Sequence, residues 1–166
     1  MSERSAGSLY HPSFEHDGCG FGLIAQMDGE TSHTLVHNAI HALSRLTHRG
    51  AVAADGKSGD GCGLLMKMPT EFLRASAVEN GIDLSQNFAV GMVFLNADGD
   101  LSIVQREQLE REIVRQQLQV AGWRTVPVDT SACGARALET LPDIKQIFIN
   151  APSGISDDEL ERRLYI

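Results

Sequence analysis

The spacing of apolar residues along the chain predicts five short strands that alternate with helices. The strands are expected at residues 20–27, 63–68, 88–95, 123–128 and 144–149. The helices are expected at residues 32–47, 69–81, 102–121 and 132–140, with a last one starting at Ser156. Ser32 can cap the first of these helices, and its buried stripe is predicted to comprise Leu35, Val36, Ala39, Ile40, Leu43 and Leu46. Alternation of this kind is typical of a parallel α/β sheet.

Two segments lack apolar periodicity and are predicted to be irregular. Residues 1–18 carry Ser, Gly, Pro and charged residues, which is typical of a flexible leader. Residues 48–63 are rich in Gly, Ala and Asp and are expected to form a long loop after the first helix. Long loops of compact domains often carry function.

The chain ends within a strongly predicted helix. Ser156 can cap this helix, and acidic residues occupy its first turn. Leu164, Tyr165 and Ile166 then end the chain on an apolar face. We therefore expect the chain to be truncated, as the front part of a longer domain. A natural C-terminal helix docked by these residues is the alternative.

Length and charge exclude several classes of protein. The chain has 166 residues, enough for one domain, and 14 basic against 22 acidic residues give a formal net charge of -8. This acidic balance disfavours nucleic acid and anionic membranes as partners. No apolar run is long enough to cross a bilayer and the start has no apolar signal core, so a cytoplasmic location is expected.

Three widely spaced cysteines, Cys19, Cys62 and Cys133, do not indicate a disulfide framework. Cys19 lies between the leader and a glycine-flanked strand, where substrate can approach. Cleavage of the bond before Cys19 gives it a free α-amine with a pKa of about 7.7–8.0, beside a thiol pKa of about 8.5. The α-amine, as general base, and the thiol, as nucleophile, then belong to the same residue. A structural Cys19, or burial of all three cysteines as small apolar residues, is the alternative.

Three histidines on the first helix form a weaker candidate site. His33, His37 and His41 are spaced by four residues, so they share one helical face. With a cysteine from elsewhere they could bind zinc, but no carboxylate pair or Cys-x-x-Cys motif accompanies them. We expect no metal site in this chain.

The loop after the first helix contains two further candidates. Arg49, followed by Gly50, can hold a carboxylate or orient a nucleophile; alternatively it is a cation that caps the helix C-terminus. Asp60 lies in a glycine-rich stretch, residues 58–63, which lacks the lysine of a phosphate-binding loop. Asp60 is either a ligand or a brace for that loop.

Several segments together resemble the start of the large subunit of glutamate synthase. They are residues 19–25, residues 39–43 leading into residues 48–51, and residues 55–63. The likeness extends from about residue 14 to the end of the chain and includes residues 146–151. The combination is far more specific than any one motif. The Gly-Asp-Gly-x-Gly loop and the short leader separate it from other amidotransferases with an N-terminal cysteine.

The resemblance implies the glutaminase part of that enzyme, a class II (N-terminal nucleophile) amidotransferase. It implies removal of residues 1–18, so that the Cys19 amine acts as base and the Cys19 thiolate attacks the side-chain amide of glutamine. It implies Arg49 beside the nucleophile. The resemblance implies that the ammonia travels to downstream synthase domains, which hold FMN and an iron-sulfur cluster. There 2-oxoglutarate accepts the ammonia. A small electron-transfer subunit is a further candidate partner, and no cofactor is expected in this chain itself.

The resemblance also implies a fold different from the parallel sheet. It implies an α+β fold, namely part of a truncated four-layer αββα sandwich of the N-terminal-nucleophile hydrolases, in which two packed antiparallel sheets lie between helix layers. Residues 1–18 are then a leader or propeptide, and residues 19–166 are the incomplete amidotransferase domain. We follow the resemblance, because alternation of strands and helices is weak evidence about strand direction.

The chain departs from the family by lacking the oxyanion and glutamine-holding segments, which lie further along in the family. Asn150-Ala151 does not match the family's Asn-Gly pair. Loss of one oxyanion donor typically costs about 10²–10³ in turnover, so the isolated chain is expected to be inactive.

Cys62 stands where the family more often has a small apolar residue and is expected to be structural. Another class II amidotransferase, such as the phosphoribosyl-transferring one, and a non-catalytic binding module are the alternatives.

Overall fold

The computed structural model describes residues 20–46, 55–58 and 61–165 of the chain. The chain divides into two compact units, Met1–Met66 and Lys67–Ile166. Among the described residues, the first unit contains one helix, and the second contains a sheet with its own helices.

The helix of the first unit, α1, spans His33–Ser44. Ser32 caps it as predicted, because the Ser32 hydroxyl accepts the Leu35 N–H at 3.3 Å. Ile40, predicted to be buried, is exposed. The other members of the predicted stripe are half-buried: Leu35, Val36, Ala39, Leu43 and Leu46. The helix therefore has an apolar side, but none of its residues is fully buried.

Two predicted strands are absent from the structure. Residues 20–27 and residues 63–68 adopt no strand pairing. An apolar run becomes a strand only when another strand accepts its N–H and donates to its C=O groups. Within the described residues no such partner is present for either segment, and the prediction of strands there is wrong.

The described sheet of the second unit has three antiparallel strands. They are β1, Phe88–Leu95; β2, Gln119–Thr125; and β3, Asp143–Asn150. β3 lies in the centre and pairs with β1 on one side and with β2 on the other. The parallel sheet suggested by alternation is therefore wrong. The α+β class and the antiparallel pairing implied by the resemblance are confirmed.

The described residues of this unit also form four helices and a 3-10 turn. They are α2, Thr70–Glu79; α3, Gly99–Arg115; the 3-10 turn Thr130–Ala132; α4, Ala135–Glu139; and α5, Asp157–Tyr165. The helix predicted over residues 102–121 ends early, because Gln117 adopts a left-handed backbone with φ of 59°. No helix in the described part of the chain is long and apolar enough to cross a membrane.

One face of the sheet is covered by α3 and α5. Ile147 and Ile149 of β3 pack there against Ile113 of α3 and Leu160 of α5. Leu118, which follows α3, joins the same cluster. All five side chains are buried, so this cluster is one of the two cores of the unit.

The opposite face of the sheet is covered only in part. Phe148 of β3 is fully buried and packs against Leu73 of α2. Phe148 is paired with Val90 of β1, and residues two apart along a strand share a face. Met92 and Phe94 therefore lie on this same face, yet they are 49% and 66% exposed. Here α2 covers one end of the face and leaves the other open.

Candidate functional site

The residues predicted to carry the chemistry, Cys19 and Arg49, lie outside the described residues, and so does Asp60. The predicted leader, residues 1–18, lies outside them as well. The roles assigned to these residues therefore stay predictions. The structure instead describes the segments that adjoin them.

The segment that directly follows Cys19 is open to solvent. Phe21 is 96% exposed and Leu23 is 87% exposed. Gly22 has open space where a Cβ atom would project. The stretch of chain that follows position 19 can thus be approached by other groups.

A tight turn separates this segment from α1. Asp28 accepts a hydrogen bond from Gln26 Nε2 at 3.0 Å and another from the Glu30 N–H at 3.0 Å. The hydrogen bond from Gln26 contributes most to holding the pKa of the Asp28 carboxyl below its usual range, and the bond from the Glu30 N–H contributes next. The ionised carboxylate is therefore held in the turn, and Asp28 has a structural role.

The three histidines of α1 do not come together as a metal site. His33, His37 and His41 are all exposed. Across residues 20–46, 55–58 and 61–165, no group of three or more His, Cys, Asp or Glu side chains is placed to hold a metal ion. The described geometry therefore gives no support to zinc binding through α1.

Within residues 48–63, the segment predicted to be a loop, the structure describes a turn built around Asp55. Asp55 Oδ1 accepts the N–H groups of Lys57 at 3.0 Å and Ser58 at 2.8 Å, and Oδ2 accepts the Ser58 hydroxyl at 2.6 Å. The Ser58 hydroxyl contributes most to holding the pKa of the Asp55 carboxyl below its usual range. The sequence analysis assigned no separate role to Asp55. The Asp-Gly-x-Ser pattern of residues 55–58 could have predicted this turn, because an aspartate side chain commonly accepts the backbone N–H two residues further on.

Cys62 and Cys133 are free thiols. Cys62 is exposed and Cys133 is half-buried. Neither is a buried apolar residue, so the alternative in which all three cysteines fill a core is wrong for these two. The exposure of Cys62 gives no support to the structural role predicted for it.

The chain has one Asn-Gly pair, Asn80-Gly81, and both residues end α2. Asn80 Nδ2 donates to the Ser76 carbonyl at 2.8 Å, and the Gly81 N–H donates to the Val78 carbonyl at 3.0 Å. Gly81 has φ of 68°, the left-handed conformation that commonly closes a helix. These donors are engaged at the helix end, so the pair does not serve as an oxyanion hole.

Asn150, at the end of β3, is also held by structural bonds. Its Oδ1 accepts the Ser85 N–H at 2.9 Å, and its Nδ2 donates to the Asp83 carbonyl at 3.0 Å. Both ends of the side-chain amide therefore bind the segment that precedes β1. This arrangement supports the expectation that Asn150-Ala151 is not the oxyanion motif.

Residues 19–166 match the family model of the class-II glutamine amidotransferases. The chain belongs to this family. Its relatives include the glutamate synthase [NADPH] large chain of Bacillus subtilis, 38% identical over 166 residues, covering 97% of this chain and 11% of that protein. Ferredoxin-dependent glutamate synthase 2 of Synechocystis is 40% identical over 154 residues, covering 92% of this chain and 10% of that protein. The chain thus spans only 10% to 11% of the length of these relatives.

Proposed function

We propose that the chain is the front part of the glutaminase domain of a glutamate synthase and that Cys19 is its nucleophile. The observation that carries the proposal is the start of the family match. The region shared with the class-II glutamine amidotransferases begins at residue 19, directly after the leader-like segment. Residues 1–18 are then a propeptide, whose removal makes Cys19 the first residue.

The reaction uses Cys19 both as base and as nucleophile. Its α-amine takes the thiol proton, directly or through water, because reference pKa values of about 7.7–8.0 and about 8.5 are close. The thiolate attacks the carbonyl carbon of the glutamine side-chain amide. The carbon–nitrogen bond breaks, the nitrogen takes up the proton and leaves as ammonia, and a thioester forms. Water hydrolyses the thioester to glutamate and restores the thiol.

Arg49 is proposed to hold the nucleophile in position. The described segments before and after Arg49 in the sequence are held by local hydrogen bonds. Before it, α1 ends at Ser44, whose hydroxyl donates to the His41 carbonyl at 2.8 Å. After it, Asp55 closes the turn described above. An arginine guanidinium can make two parallel hydrogen bonds to a carboxylate, or donate a charge-assisted hydrogen bond to a thiolate.

The relatives are glutamate synthases by name, which supports a wider proposal, and its two cofactors are taken from the resemblance described above. Ammonia passes to downstream domains that bind FMN and an iron-sulfur cluster, where 2-oxoglutarate and reducing equivalents convert it into a second glutamate. This chain binds neither cofactor in that proposal. The described sheet, with α3 and α5 on one face, is proposed to be one sheet and one outer helix layer of a four-layer αββα sandwich.

The isolated chain is proposed to be inactive. An N-terminal nucleophile needs donors for the oxyanion that forms on attack, and removal of one such donor typically costs about 10²–10³ in turnover. The chain's Asn-Gly pair and Asn150 both use their donors in structural hydrogen bonds. The oxyanion donors are therefore proposed to come from sequence outside this chain.

The test uses a fusion of residues 1–166 with the part of the Bacillus subtilis large chain that follows the matched region, called the chimera below. Intact mass is expected to show loss of residues 1–18, and a glutamine-like electrophile is expected to alkylate Cys19. Cys19→Ser should abolish alkylation and ammonia release. Cys62→Ser, the same change at an exposed thiol, should preserve both. A folded chimera that releases ammonia with Cys19→Ser, or that is never alkylated at position 19, contradicts the proposal.

A further inference from the structure

The end of α2 carries a pair of residues that is prone to a spontaneous change of covalent structure. Asn80 is followed by Gly81, and both residues are exposed. The backbone nitrogen that follows an asparagine can attack the carbon of the side-chain amide and form a cyclic succinimide. Gly81 has no Cβ atom to obstruct this attack, and the space where a Cβ atom would project is open. The pair thus combines an amide that can leave with an unhindered nitrogen.

The folded structure engages both reacting groups in hydrogen bonds. Asn80 Nδ2 donates to the Ser76 carbonyl at 2.8 Å, which ties the side-chain amide to the helix. The Gly81 N–H donates to the Val78 carbonyl at 3.0 Å, and this is the proton that the nitrogen must lose before it attacks. Both bonds have to break before the succinimide can form. Asn80 therefore reacts only while the end of α2 is open.

The side chain of Ile82 anchors this helix end. The Ile82 N–H closes the end by donating to the Ala77 carbonyl at 2.8 Å. Ile82 is buried and packs in the core cluster that contains Leu73 and Phe148, whereas Val78, in the last turn of α2, is 76% exposed. Exposed helix ends open more often than the core to which they are attached. The packing of Ile82 consequently controls how often the end of α2 opens.

The aspartate–glycine pairs of the chain react more slowly by the same route. They are found at residues 17–18, 28–29, 55–56, 60–61 and 98–99. A carboxylate is ionised at neutral pH, and its oxygen is a much poorer leaving group than ammonia. The bond from Gln26 to Asp28 and the bond from the Ser58 hydroxyl to Asp55 hold the pKa of these two carboxyls below its usual range, which keeps them ionised. Asn80 is therefore the preferred site of reaction.

We propose that Asn80 deamidates spontaneously and that opening of the capped end of α2 sets the rate. The Gly81 nitrogen gives its proton to solvent and bonds to Cγ of Asn80. The bond from Cγ to Nδ2 breaks, and Nδ2 takes up a proton and leaves as ammonia. Water then opens the succinimide at one of its two carbonyls, which gives aspartate or isoaspartate. Water is the only other reactant, so the inference does not rest on the proposed function.

Each product weakens the end of α2. Aspartate at position 80 cannot donate to the Ser76 carbonyl, and it places a negative charge at a helix C-terminus, where the helix dipole disfavours it. Isoaspartate adds an atom to the backbone, so the Ile82 N–H loses its register with the Ala77 carbonyl. Because Ile82 belongs to a core cluster, either change loosens the packing beneath α2.

Peptide mass mapping of residues 1–166 after incubation at neutral pH measures the reaction, in buffer and in urea. Solvent enriched in heavy oxygen marks the carboxyl formed during the incubation. We expect slow deamidation at Asn80 in buffer and a rate at least about tenfold higher in urea, which removes the helix end. Asn96 is the internal control, because it is exposed and is followed by Ala97, whose methyl group obstructs the nitrogen. An Asn80 that keeps its amide in both solutions, or that reacts equally fast in both, overturns the proposal.

Control of the rate by the helix end is tested with two isoleucines that are equally buried, each 7% exposed. Ile82→Ala loosens the anchor and should accelerate deamidation in buffer by at least about fivefold. Ile113→Ala truncates the core on the other face of the sheet and should leave the rate nearly unchanged. Ile82→Val, a smaller truncation, gives the same comparison if Ile82→Ala does not fold. Equal acceleration at both places would mean that global unfolding sets the rate, contrary to the proposal.

The consequence for stability is tested by Asn80→Asp, which reproduces one product. Its urea midpoint should lie below that of the wild type, because the bond to the Ser76 carbonyl is lost. Asn96→Asp makes the same charge change at an exposed residue and still accepts the Asp98 N–H, now bonded to Asn96 Oδ1 at 2.8 Å, so its midpoint should not fall. Equal midpoints for Asn80→Asp and the wild type would contradict the role of the Asn80 amide in closing α2.

Discussion

Gly122 lies so close to Ile82 that a Cβ atom at position 122 would be 2.8 Å from Cγ1 of Ile82. The pairing of β2 with β3 shifts register between Val120 and Gly122, at the same place. A side chain that follows α2 thus packs directly against the backbone of β2, and this contact leaves no room for a methyl group at position 122.

Gly122→Ala is expected to destabilise the second unit by about 1–3 kcal/mol, because the added methyl group displaces Ile82 within a packed core. Urea unfolding followed by Trp123 fluorescence measures this. Gly99→Ala adds the same methyl group where nothing lies within 4 Å and should not destabilise. Equal stability of the two variants would contradict the close packing at position 122.

Phe148→Ala is expected to cost about 3–5 kcal/mol, because Phe148 is fully buried and its removal leaves a cavity. Phe94→Ala is the matched variant at an exposed position, and in the isolated chain it should change stability by no more than about 0.5 kcal/mol. Thermal and urea unfolding give both values.

Asn150→Ala is expected to cost about 1–2 kcal/mol, because it leaves the Ser85 N–H and the Asp83 carbonyl without their partner. Asn150→Asp can still accept from Ser85 but no longer donates to Asp83, so it should also destabilise. Both effects are read from unfolding curves. Glutamine hydrolysis by the chimera should survive Asn150→Ala. Loss of hydrolysis with unchanged stability would instead assign Asn150 to the oxyanion site.

Glu159 gives the stability of α5 a dependence on pH. Hydrogen bonds from Arg162, and then from Arg163, lower the pKa of the Glu159 carboxyl from 4.5 to about 2. A carboxyl whose pKa is lowered by folding stabilises the folded state at pH values above its pKa in the unfolded state. This contribution is lost as the pH falls from about 4.5 toward 2. The free energy of unfolding of the wild type, measured with denaturant, should therefore fall more over that pH range than the free energy of unfolding of Glu159→Gln.

Glu161→Gln is the matched control for this pH effect. It makes the same charge change on the same helix, at a residue for which the described structure shows no ion pair. The pH dependence of its free energy of unfolding should follow that of the wild type. Wild-type behaviour of Glu159→Gln would show that the contacts of Glu159 with Arg162 and Arg163 add nothing to stability.

Local signals predicted most of the helices of the second unit and the bounds of β1 and β3, whereas β2, Gln119–Thr125, begins four residues before its predicted range, 123–128. Ser32 caps α1 as expected, and β1 has the predicted bounds, Phe88–Leu95. β3 differs from its predicted range by one residue at each end, Asp143–Asn150. These elements are encoded by caps and by apolar spacing, which are properties of neighbouring residues.

Features that depend on distant partners were not predictable in the same way. Residues 20–27 carry a strand-like pattern but no described strand pairs with them. The spacing of Leu118 continues the pattern of α3, although Gln117 ends the helix with a conformation that glycine usually adopts. Strand direction was wrong when taken from alternation, because local pattern does not show which strand becomes the neighbour. At the candidate site, the pattern predicted roles for Cys19 and Arg49, which lie outside the described residues, and it predicted no geometry.

The strand order has a consequence for synthesis of the protein. β3 is the last of the three described strands to be made, and both of the others pair only with it. While the ribosome is still upstream of Asp143, β1 and β2 have no hydrogen-bonding neighbour in this sheet. In the nascent chain β1 therefore has no strand partner in this sheet until β3 has left the exit tunnel, and its backbone hydrogen-bonding groups stay open to other chains during that interval.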